Sequence, residues 1–158
     1  MPVPTADHRK LKAIYAVDPL RPLGELDPAG GLIDRGNLSL LVLLVCEVPD
    51  ESLSLFRKQL MPPSQLRRQV AAREVELQQH MAEITHKLES MGYEVDSRVE
   101  RGKRTGLVIT EVAEREDADL IILQRRRQKT WQRVLVGSVA DYVTRHAGRP
   151  LLIMPCDE

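Results

Sequence analysis

Apolar runs alternate with helical patterns along the chain, and that alternation constrains the fold more than any single residue. "KAIYAVD" (12–18), "LSLLVLLVCEV" (38–48), "YEVDSRVE" (93–100), "DLIIL" (119–123) and "PLLIMP" (150–155) read as strands. Most are apolar enough to be covered on both faces. The second exceeds the usual strand length, so only part of it need be paired. Residues 64–91 read as a long helix, with Val70, Leu77, Ile84 and Met91 recurring every seven positions and Met81 and Leu88 joining the same stripe. Arg67, Arg68, Arg73, Glu76, Gln79 and Glu83 lie outside that stripe. Gly92 stands where a helix is commonly ended. Residues 105–117 fit a shorter helix that offers Leu107, Val108, Ile109, Val112 and Ala113 to a core. A third, over 137–147, puts Val139, Val143 and His146 on one face.

This order predicts parallel strands joined by right-handed crossovers, hence an open α/β sheet with helices on both faces. Ligands in such sheets bind outside the carboxyl ends of the strands, where the strand order reverses. Asp18 and the 124–137 loop fall at such ends. A single domain spans 1–158. It is irregular over 19–36, where Pro19, Pro22, Pro28, Gly24, Gly30, Gly31 and Gly36 interrupt any regular helix, and a loop covers 49–63.

Composition removes several function classes. The chain has 158 residues, enough for one sizeable core, and with 3% aromatics that core must be aliphatic. Basic and acidic residues balance at 23 each, so nothing global argues for nucleic acid or an anionic membrane. No 18-residue apolar run and no apolar leader occur, which suggests a reducing, cytoplasmic compartment and no membrane span. Cys46 and Cys156 are far apart with no CxxC spacing, so neither a disulfide framework nor a zinc site is expected. Cys46 reads as core and Cys156 as a thiol near the terminus. His80 and His86 are six apart, wrong for two ligands on one helix face, and His146 reads as packing; no metal is expected.

One segment carries chemistry. Residues 120–143 run from a buried strand through Arg125, Arg126, Arg127, Lys129 and Arg133 to a helix opening at Gly137-Ser138. Strand, loop and helix N-terminus together form the usual geometry for an anion, because free backbone N–H groups and the positive end of the helix dipole converge. The arginines read either as a side-chain anion site or as a solvated loop, and Gly137-Ser138 as a phosphate contact or a helix cap. Trp131 could stack on a base or cover the loop's own apolar neighbours.

"VAEREDADLIIL" and "VLVGSVADYVTRHAGRPLLIMP" resemble the C-terminal half of universal stress proteins, and "AIYAVD" resembles that family's first strand, which also ends in Asp. The resemblance is specific over 112–155 and weakens over 19–64. It implies a five-stranded, adenine nucleotide alpha hydrolase-like fold, usually dimeric, whose ATP-binding members carry Gly-x2-Gly-x9-Gly-(Ser/Thr). It also implies a ligand role for Asp18 and for Gly137, Ser138 and Val139, with ATP or AMP as the ligands to consider. Here Gln124 and Arg127 stand at the first two glycine positions, and only Gly137 and Ser138 remain. Glycine permits close approach and positive φ around phosphates, so Gln124 and Arg127 should crowd that path. The altered 19–36 segment is a second departure.

No catalytic constellation emerges, since Ser138 has no base evident in the sequence. The expectation is a non-enzymatic regulatory or stress-protective protein with a decayed nucleotide site, no resident cofactor and Asp18, Arg125, Arg127, Gly137, Ser138 and Val139 as site residues. The alternatives are an adenine nucleotide-binding switch with slow ATPase activity, and a basic-loop module for polyphosphate or RNA, nucleic acid being the weaker case. The last strand, apolar from Leu151 through Leu152 and Ile153 to Met154, would be an aggregation hazard if left as an open edge. A homodimer through that strand is therefore expected, as the resemblance also implies. No partner protein can be read from the chain.

Overall fold

The computed structural model describes residues 9–19, 26, 33–48, 62–126 and 138–156, without the side chains of 125, 126, 155 and 156. The elements are β1 (Leu11–Ala16), β2 (Leu38–Glu47), α1 (Pro63–Ser90), β3 (Glu94–Gly102), α2 (Thr105–Arg115), β4 (Leu120–Arg126), α3 (Ser138–His146) and β5 (Leu151–Cys156). A 3-10 turn at Arg35–Asn37 leads into β2. All five strands are parallel, in the order β3-β2-β1-β4-β5.

The pleat sorts the apolar runs onto two faces. Ala13, Tyr15 and Val17 of the first run, Leu40, Val42, Leu44 and Cys46 of β2, and Ile122 of β4 pack under Leu77, Met81, Ile84 and Leu88 of α1. The alternate residues Ile14, Ala16, Leu41, Leu43, Ile121 and Leu123 meet Val108, Ile109, Val112 and Ala113 of α2 and Ala140 and Val143 of α3. Continuous hydrophobicity was thus the signature of burial on both sides. Each fully buried Leu or Ile contributes about 1.5–3 kcal/mol relative to exposure.

Helix ends are defined by backbone bonds. After α1, Gly92 (φ 89°) donates to Glu89 O at 2.9 Å and Tyr93 to Leu88 O at 3.2 Å, the paired bonds of a Schellman cap. After α2 the same pattern recurs with Asp117 (φ 48°) in the left-handed position and Ala118 donating to Ala113 O at 2.9 Å. The N-terminus of α2 is capped from β2: Glu47 Oε1 accepts from Thr105 N at 3.1 Å and from Thr105 Oγ1 at 2.6 Å. Gly106 lets α3 approach, since a Cβ there would sit 2.9 Å from Tyr142 Cδ1.

Two expectations need correction. All of Leu38–Glu47 is paired, Leu38 with Leu11 of β1 and Ser39–Glu47 with β3, because β2 is interior and every residue finds a ladder on at least one side. His146 is exposed rather than packed inward. It donates from Nδ1 to Tyr142 O at 2.8 Å and stacks on the Tyr142 ring, because it falls at the margin of the covered stripe, beyond Val139, while Ala147 one residue further on still packs against the core. Cys46 is buried in the core, where burial first and the Glu74 carboxylate second push its thiol pKa up, so it is not a reactive thiolate. No helix among the described residues is long and apolar enough to cross a membrane.

Candidate functional site

The strand order reverses between β1 and β4, whose outgoing connections run to opposite sides of the sheet. The two strands are paired only from Ala13↔Leu120 to Ala16↔Leu123. Beyond that point Val17 N donates to Leu43 O at 3.1 Å and stays with β2, while Gln124, Arg125 and Arg126 pair with Met154, Pro155 and Cys156 of β5. A crevice therefore opens at the carboxyl ends, with half-buried Asp18 on one side and Gln124 on the other.

Gln124 continues the alternation of Leu120 and Ile122 on the α1 side of β4. Its Oε1 is buried without a hydrogen-bond partner. An acceptor shut away from water costs about 1–3 kcal/mol unless something donates to it. Across the crevice end, α3 opens with Ser138 exposed and Val139 half-buried against the α2–α3 core. Ser138 is the first residue of α3. Gly137, Arg127, Lys129, Trp131 and Arg133 lie outside the described residues, as do the side chains of Arg125 and Arg126 and most of 19–36.

The other end of the sheet is electrostatically closed. Glu116 accepts from Lys12 Nζ at 2.7 Å and from Arg98 at 2.6 Å, and these two bonds, Lys12's foremost, hold its carboxyl at about 2. Arg149 reaches both Glu114 and Asp117, Arg9 meets Asp119, and Lys10 meets Glu94. Asp119 also accepts from the Lys12 backbone N–H at 2.9 Å. Sequence reading missed this lattice, because its partners lie far apart in the chain. The orphan oxygen of Gln124 was equally invisible, since only the fold shows that nothing donates to it.

An open parallel sheet covered on both faces, with a crevice at its switch point, defines an open, doubly wound α/β fold. The sequence model of the universal stress protein family matches residues 26–155, and the chain belongs to that family. Solved structures share the fold. Universal stress protein UspA from Lactobacillus plantarum is 18% identical with a TM-score of 0.66, covering 92% of this chain and 98% of that one. A universal stress protein in complex with cAMP is 16% identical with a TM-score of 0.60, covering 93% and 98%. A family protein from Arabidopsis thaliana with AMP bound is 12% identical with a TM-score of 0.59, covering 92% of each. No curated protein matches the sequence.

Proposed function

We propose that this chain is a non-enzymatic, regulatory or stress-protective member of its family in which the ordinary mode of ATP binding has been lost. The observation that carries the reading is Gln124. It stands where the motif's first glycine belongs, at the carboxyl end of β4 beside the crevice, and puts a side chain where the motif has none. A glycine's close backbone approach is unavailable there. Arg127 at the second glycine position adds bulk of its own.

Relatives crystallised with cAMP and with AMP make adenine nucleotides the ligands to test, and they favour the competing reading of a nucleotide switch with slow ATPase activity. Native mass spectrometry of the purified protein should reveal no adenine nucleotide, and calorimetry should give an ATP affinity weaker than about 10 µM, roughly 7 kcal/mol. A co-purifying nucleotide or tighter binding would overturn the decayed-site reading.

The same reading includes a homodimer through β5. The sheet has two edges of opposite character. β3 carries Glu94, Asp96, Arg98, Glu100 and Arg101, and all but Asp96 form ion pairs, with Lys10, Glu116, Arg115 of α2 and Glu74 of α1 respectively. β5 carries no charge along Leu151–Cys156, and Ile153 is half-buried while belonging to neither described core cluster. Charged edges resist strand addition and apolar ones invite it; a two-fold pairing of β5 with its copy closes on itself. Light scattering at micromolar concentration should give twice the 17.9 kDa chain mass. Ile153→Lys should shift it toward one chain, and a monomeric wild type would rule the dimer out.

A further inference from the structure

We infer a second binding surface, separate from the crevice, that takes a linear phosphate polymer on Arg67, Arg68 and Arg104 at the carboxyl end of the sheet. Nearly every other described arginine has a partner. Arg9, Arg73, Arg98, Arg101, Arg115, Arg145 and Arg149 each meet a carboxylate, and Arg35 donates to Met91 O and lies over the Tyr93 ring. Arg67, Arg68 and Arg104 are exposed and make no ion pair or hydrogen bond among the described residues. A paired guanidinium is locally neutralised, whereas an unpaired one projects its field outward.

Topology places these three at one end of the sheet, Arg67 and Arg68 on the helix over one face and Arg104 at the start of the helix over the other. With all strands parallel, α1 and α2 begin where the strands finish, so the positive ends of their dipoles share that end with the arginines. Helix α1 also overhangs the sheet. Glu74 pairs with Arg101 near the end of β3, and at 1.5 Å per residue Arg67 and Arg68 stand about 10 Å further out. Arg104 directly precedes α2, and β4 exits through Arg125 and Arg126 at the same end. Arg67 and Arg68 on α1 and Arg104 ahead of α2 belong to helices on opposite faces of the sheet, so they do not converge on one phosphate; a chain of phosphates crossing the carboxyl end can meet them in succession. The guanidinium fork suits phosphate oxygens. Inorganic polyphosphate and single-stranded RNA share this chemistry.

The test uses the full chain and labelled long-chain polyphosphate, followed by fluorescence anisotropy between 50 and 200 mM salt. Log affinity should fall with log salt with a slope of about −2, as expected for three neutralised phosphates. Arg67→Ala, Arg68→Ala and Arg104→Ala combined should weaken binding at least about tenfold at 50 mM salt. Lys87→Ala, which removes an unpaired cation at the opposite end of α1, should leave it unchanged. RNA that competes at equal phosphate concentration assigns the surface to phosphate chains in general; failure to compete assigns it to polyphosphate. No binding at 50 mM salt, an equal loss with Lys87→Ala, or equally tight binding of poly-glutamate would overturn the inference.

Discussion

The two ends of the sheet are built on opposite terms. At the amino end Lys12, Arg98 and Glu116 interlock, Arg149 ties the end of α2 to the approach to β5, and Asp119 fastens β1 to β4. At the carboxyl end β1 and β4 part, a glutamine oxygen lacks a donor, and arginines stand without carboxylates. Satisfied groups hold a structure together, while unsatisfied ones mark where something else is to be met. Substitutions at the amino end should therefore register in stability, and those at the carboxyl end in binding.

The largest contrast lies along α1 itself. Leu88, fully buried over the amino half of the sheet, should lose about 2–5 kcal/mol on Leu88→Ala. Leu66, on the same stripe but half-buried in the overhanging turns, should lose about 1 kcal/mol or less. Urea unfolding of the two variants would show the difference, and equal losses would mean that the overhang is packed as firmly as the rest.

A smaller effect belongs to Glu116. Its folded pKa of about 2 lies below the ordinary 4.5, so its contribution is fully present above 4.5 and is lost as pH falls through about 2. Glu116→Gln should cost about 1–2 kcal/mol at pH 7, less than the full linkage value because Lys12 is partly in water. The gap between wild type and variant should shrink between those two pH values. A constant gap would assign the loss to shape rather than charge.

How much of this was legible depends on the range of the interaction. The seven-residue recurrence from Val70 to Met91 and the cap at Gly92 are local, and the structure reproduces both. The faces of β1 and β2 could not be read from periodicity, because strands buried on both sides do not alternate. The full pairing of β2 follows from its interior place in the sheet, which depends on strand order. His146 was misplaced because a periodic pattern does not reveal how wide the covered stripe of a short helix is. At the site, Gln124 was identifiable by motif spacing, but that its oxygen lacks a donor, and that Arg67, Arg68 and Arg104 lack carboxylates, depends on residues brought near by folding.

The claim that glycine replacement in the loop removed ordinary ATP binding is tested most directly by restoring the glycines. Calorimetric titration of Gln124→Gly combined with Arg127→Gly should show ATP affinity raised at least about tenfold over wild type, or 1.4 kcal/mol, with the urea midpoint little changed. An ATP affinity identical to wild type would contradict the account and move the cause to the 19–36 segment.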